Sequence, residues 1–96
     1  MPVRIIIDRK VKKGKEPDFS KLLRELRSEA VPSKGYISGE TLWALDDPHN
    51  YIVISTWRNI NDWKECEKNP NRKKIQTEIE KLMVRPTKTK IYTYAW

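Results

Sequence analysis

Val3, Ile5 and Ile7 alternate with Arg4, Ile6 and Asp8, and this two-residue period predicts a first strand over Val3 to Val11. Lys12-Lys13-Gly14-Lys15 ends it. The period then lengthens. Phe19, Leu22, Leu23, Leu26 and Ala30 fall on one face at helical spacing, with Arg24, Glu25, Arg27, Ser28 and Glu29 on the other. Glu16-Pro17-Asp18 opens this helix, because proline is tolerated in a first turn and acids suit its positive end. Pro32 stops the helix, and Gly35 lets the chain turn.

A second strand is predicted over Tyr36 to Leu45, with Ile37, Trp43 and Leu45 on one parity and Leu42 and Ala44 on the other. Asp46-Asp47-Pro48-His49-Asn50 reads as a hairpin connection built from turn residues. The third strand, Tyr51 to Trp57, is apolar on both parities, the pattern of a strand covered on both faces. Asn59 can cap a short helix with Asp62 in its first turn. Asn69-Pro70-Asn71 breaks that helix and starts another, striped by Ile75, Ile79, Leu82 and Met83 and ended by Pro86. A last strand covers about Thr87 to Trp96.

The order is βαββαβ, the split βαβ arrangement of a ferredoxin-like α+β domain over residues 1–96. Right-handed crossovers place the helices on one face of a four-stranded antiparallel sheet. The other face should then be polar, yet Ile5 and Ile6 point opposite ways, as do Ile52 and Val53. Each large aliphatic side chain left in water forfeits roughly 1.5–3 kcal/mol. A second copy of the chain, laid face to face in a two-fold contact, is the simplest cover. A homodimer of the α/β-barrel type is therefore expected, against a monomer capped by its own termini or loops.

Composition changes this picture little. Ninety-six residues fit one domain with a thin core, and 38% are hydrophobic. One cysteine, Cys66, allows no intrachain disulfide. The N-terminal apolar run is too short for a signal peptide, and no stretch reaches the roughly 18 apolar residues of a membrane span. A soluble cytoplasmic protein without membrane contact is the default. The net charge of +7 raises nucleic-acid binding, but the basic residues are scattered and accompany no recognition motif. A basic surface that attracts small anions is the plainer reading.

The stretches Gly35-Tyr36-Ile37-Ser38-Gly39-Glu40-Thr41-Leu42, Tyr51 to Trp57 followed by Asn59 and Trp63, Asn69-Pro70-Asn71-Arg72 and Ile91-Tyr92 make the chain resemble the antibiotic biosynthesis monooxygenase family of dimeric α/β-barrel proteins. The resemblance implies a pocket between helices and sheet and a cofactor-independent oxygenase. Such an enzyme needs no metal or flavin. Its substrate would be a small aromatic or quinol-like compound that loses a proton and passes an electron to oxygen, while the protein supplies shape, hydrogen bonds and exclusion of water. Haem-degrading relatives carry an asparagine, a tryptophan and a histidine at positions that here hold Asp8, Cys66 and Gln76, so that chemistry is not expected.

The candidate catalytic residues are Asp8, Asn59 and Trp63, and Trp57, Tyr94 and Arg72 are candidate pocket residues. Each also has a plainer role. Trp63 and Trp57 can be core, Asn59 a helix cap, Asp8 a solvated strand end, and Tyr94 part of the dimer contact. Asp8 would serve as a base only if it faced the pocket. Arg9 and Arg72 could hold an anionic intermediate, but a surface or ion-pair role is the simpler expectation for both. His49 reads as a turn residue, and Cys66 lacks a histidine partner. The rival functions are a non-catalytic dimeric module that binds a small ligand or serves a stress role, and an anion or nucleic-acid binder.

Overall fold

Along the first strand every second side chain is buried, from Val3 through Ile5 and Ile7 to Arg9, and these mark the face on which the helices pack. The computed structural model describes all residues, Met1–Trp96. Its elements are β1 (Val3–Lys10), α1 (Glu16–Ala30), β2 (Tyr36–Ala44), β3 (Asp47–Trp57), α2 (Ile60–Glu67), α3 (Pro70–Glu80) and β4 (Lys88–Thr93). The four strands form one antiparallel sheet in the order β2-β3-β1-β4, the ferredoxin-like arrangement the pattern predicts.

Register sorts the side chains. Trp57, Ser55, Val53 and Tyr51 of β3 lie opposite Val3, Ile5, Ile7 and Arg9 of β1 and share the helix side. Ile6, Ile52, Ile54, Leu42 and Tyr92 share the opposite side, which no element of the protomer covers. Leu42 and Tyr92 are exposed there, and the three isoleucines are half-buried only by their neighbours. Ion pairs flank the stripe, Arg4 with Glu40 and Arg85 with Asp8.

The helix side holds two apolar clusters. Val3, Ile5, Ile7, Trp57, Trp63 and Cys66 form one, and Val11, Phe19, Leu26, Tyr51, Ile79 and Met83 the other. Caps fix the helices between them. Asn59 Oδ1 accepts the Asp62 N–H at 2.9 Å to start α2, and Asn69 Oδ1 accepts the N–H groups of Asn71 and Arg72 to start α3.

Several boundaries differ from the sequence pattern. α3 ends at Glu80, short of Pro86, so Leu82 and Met83 of its expected stripe lie beyond the helix, where Met83 bridges to Val11. The hairpin turn is Leu45-Asp46, and Asp47 to Asn50 belong to β3. The ladder passes from Trp43↔Tyr51 to Ala44↔Asp47, so Pro48, His49 and Asn50 bulge out of register and Pro48 owes no N–H to β2. A second irregularity lies between Tyr36 and Ser38, which sends Ile37 outward and turns Tyr36 to the helix side with Gly39, Thr41 and Trp43. β4 ends at Thr93 and leaves Tyr94 to Trp96 outside the sheet.

Gly35 shows how tightly the β2 entry is joined to α2. Its φ is +82°, and an added Cβ would stand 2.6 Å from the Asp62 Cβ. Gly35→Ala is expected to cost at least about 1 kcal/mol through strain and displacement of Asp62, read as a lower urea midpoint at unchanged slope.

Candidate active site

Between the two apolar clusters, β1 places a cation. Arg9 has the same parity as Val3, Ile5, Ile7 and Val11, and it is 1% exposed. Its Nη2 donates to Gln76 Oε1 at 2.7 Å, while its Nε and Nη1 are buried without an acceptor. Arg72, also buried, enters from the first turn of α3 and lays its guanidinium 4.9 Å from the centre of a Trp63 ring. Neither arginine forms an ion pair. Burial pulls the Arg9 pKa down to about 10, the nearby Arg72 charge adds to the fall, and Glu80 partly opposes it. Burial also lowers Arg72, against the pull of Cys66 and Glu67.

These residues divide two cavities. One, of about 300 Å³, lies between α1 and the β2-β3 half of the sheet. Five aromatic residues line it, Tyr36, Trp43, Tyr51, Trp57 and Trp63, and α1 and β2 add Arg24, Arg27 and Glu40. Trp57 and Trp63 meet at 5.6 Å between ring centres, and Tyr36 stands edge-on to Trp57 at 5.4 Å. Gly39 makes room for this wall, because a Cβ there would come within 2.5 Å of the Tyr36 hydroxyl. The second cavity, of about 410 Å³, lies toward β4 and is polar, with Glu67, Lys73, Gln76 and Glu80 on its walls. Ile7, Arg9, Trp63 and Arg72 line both.

The two buried tryptophans differ in one respect. Trp57 Nε1 donates to Ser55 Oγ at 3.0 Å. Trp63 Nε1 is buried and has no acceptor in the protein. The arrangement is a largely apolar slot lined by an indole with an unpaired N–H and by guanidinium groups, the buried Arg9 and Arg72 together with Arg24 and Arg27 of α1. It can bind a flat ring system, and it favours negative charge beside those groups. Burial, with the Glu16 charge nearby, raises the Tyr51 pKa, which keeps that phenol neutral on the wall.

A protein-family model described as antibiotic biosynthesis monooxygenase matches residues 2–78. The chain belongs to this family. Among solved structures, a conserved protein of Methanosarcina mazei superposes with a TM-score of 0.91 at 20% identity, covering 96% of this chain and 91% of that one. SnoaB, a cofactor-independent oxygenase from Streptomyces nogalater, superposes with a TM-score of 0.88 at 15% identity, covering 99% of this chain and 94% of that one. At such identities the likeness is one of fold. No curated protein sequence matches the chain.

Within this family member, the residues singled out from the sequence fall in different places. Trp63, Trp57 and Arg72 line the aromatic cavity. Asn59 lines neither cavity, and its Oδ1 is spent on the α2 cap. Asp8 points to the open face, where its Oδ1 accepts from Asn50 Nδ2 at 2.7 Å and Arg85 Nη2 at 3.2 Å. That parity separates it from the cavity, so the condition for its service as a base is not met. Tyr94 is exposed beyond the end of β4 and touches neither cavity. His49 sits in the β3 bulge against the Glu16 carboxylate, and Cys66 is core.

Arg9 and Arg72 depart furthest from the surface role expected of them. The signal was present for Arg9, since a cation on the parity of Val3, Ile5, Ile7 and Val11 is one aimed beneath the helices. Gln76 is occupied in holding that cation. No helix of the chain is long and apolar enough to cross a membrane.

Proposed function

We propose that this protein is a cofactor-independent monooxygenase that oxidises a small phenol or hydroquinone in the aromatic cavity, and that it works as a homodimer. The observation that carries the proposal is the buried, unpaired indole N–H of Trp63, a residue that lines a slot rich in aromatic rings. A volume of about 300 Å³ suits a two- or three-ring compound. The bound phenol gives its proton to a water molecule, which later returns it to the peroxide, and the indole N–H donates to the oxyanion. Arg72, stacked on the same indole, stabilises the negative charge. The electron-rich anion gives one electron to dioxygen, the radical pair joins as a peroxide, and loss of water leaves a carbonyl. For an anthrone, a ring CH₂ and O₂ thus become C=O and H₂O. The part proposed for Asn59 is positional, since the cap it makes starts the helix that aims Trp63.

Oxygen uptake over a panel of anthrones and naphthohydroquinones tests this reading. The wild type is expected to consume one O₂ per anthrone. Trp63→Phe keeps the ring but removes the N–H, and its kcat is expected to fall by about 10- to 100-fold, with stability changed by less than about 1.5 kcal/mol. Silence across the panel, with ring compounds still bound, would leave a ligand-binding module and overturn the oxygenase.

A further inference from the structure

We infer that the ligand of this cavity is an aromatic carboxylic acid, whose carboxylate seats on the Arg9–Arg72 pair while its rings fill the slot against Trp57 and Trp63. This inference rests on the oxygenase reading only for what happens to the ligand afterwards.

The argument is one of charge. Buried guanidinium groups in proteins are paired with carboxylates or other anions, because an unpaired buried charge is costly. Arg9 and Arg72 are both buried, they repel one another, and neither meets an acid of the protein. Glu80, the acid whose charge reaches Arg9, receives Gln76 Nε2 at 2.8 Å instead of the arginine. The only protein acceptor for Arg9 is the neutral Gln76 side chain, which leaves its Nε and Nη1 groups undischarged. Two buried cations without an ion-pair partner thus line the slot, together with Arg24, Arg27 and Glu40.

A phenolate formed during turnover would neutralise one of them, and only transiently. A second, permanent negative charge on the ligand balances the pair. A carboxylate matches guanidinium geometry and can be shared between two arginines. The walls of the slot carry rings that suit an aromatic body, and Arg24 and Arg27 of α1, which also line it, add to its positive charge.

The wild-type protein is titrated with 2-naphthoate and with 2-naphthamide, which has the same rings and no charge, and binding is read by quenching of tryptophan fluorescence and by calorimetry. The naphthoate is expected to bind at least about tenfold more tightly. Arg9→Met and Arg72→Gln are each expected to reduce that preference to within about twofold while leaving naphthamide affinity in place. Arg72→Lys, which keeps the charge, is expected to restore part of it. Equal affinity of the wild type for the two probes overturns the inference without any variant having to fold. A preference that survives in both folded variants overturns it too. Thermal stabilisation by chloride equal to that by naphthoate would mark a bare anion hole and reject the aromatic acid. Oxygen uptake is a separate readout. Naphthoate preference without oxidation of any hydroquinone sinks the oxygenase and keeps this inference, whereas oxidation without preference does the reverse.

Discussion

A glutamate placed at Ile54 is expected to hold the protein as a monomer at micromolar concentration, with the helix face and its cavity intact. Ile54 lies at the centre of the uncovered side of the sheet, opposite Ile6 on β1 and Glu40 on β2. In the proposed dimer that side meets its own copy, so one substitution introduces two carboxylates into one contact. Each would lose several kcal/mol of hydration without a partner. Dimer affinity should therefore fall by at least about a thousandfold, or roughly 4 kcal/mol. Sedimentation velocity across a dilution series reads the change, and Lys21→Glu on an exposed position of α1 controls for charge alone. A wild type that sediments as a monomer, or an Ile54→Glu protein that remains a dimer, would sink the face-to-face assembly.

Replacing Arg9 with methionine is expected to stabilise the ligand-free protein. Burial pulls the Arg9 pKa down to about 10, and folding thereby disfavours the charged form by about 3 kcal/mol. The sign follows from linkage. A base whose pKa drops on folding destabilises the fold while it is charged. That cost is complete below about pH 10 and fades above it, so at neutral pH the substitution removes all of it. Against this, Gln76 loses its 2.7 Å donor, worth about 1 kcal/mol. A net gain of about 1–2 kcal/mol should raise the melting temperature by roughly 4–16 °C in a domain of this size. A lower melting temperature would mean that the guanidinium is compensated after all.

The strands, the helices and their order were legible because period and punctuation agree: β1 alternates, α1 carries its stripe, and Asn59 and Asn69 cap where a cap is needed. The hairpin boundary was not. Asp47-Pro48-His49-Asn50 has turn composition, yet the bulge accommodates it within a strand because the β1 end still uses its backbone, with Val11 N–H donating to His49 O at 2.9 Å. The parity of β2 was misread for a related reason, since an irregularity after Tyr36 reverses which residues face inward and alternation cannot report where it occurs.

The site was half legible. Trp57, Trp63 and Arg72 converge as aromatic and cationic residues near a predicted pocket would. Asp8 was weighed by its chemistry while its neighbour Arg9 held the inward parity. Tyr94 belongs to a segment whose pattern continues a strand that the structure ends at Thr93. That Arg9 and Arg72 lie side by side could not be read, because it depends on how α3 crosses over the end of β1.

The position of β1 inside the sheet has a consequence for synthesis. β1 is flanked by β3 and β4, so its ladder partners are translated some 40 to 90 residues after it. Ile5-Ile6-Ile7 therefore emerges with neither partner made, gains one only when β3 is complete at Trp57, and is paired on both edges only after β4. Such non-local closure folds slowly and exposes nascent chains to misassociation. Nascent chains that stall before β4 are expected to depend on chaperones, whereas chains that extend through Thr93 can bury the segment at once.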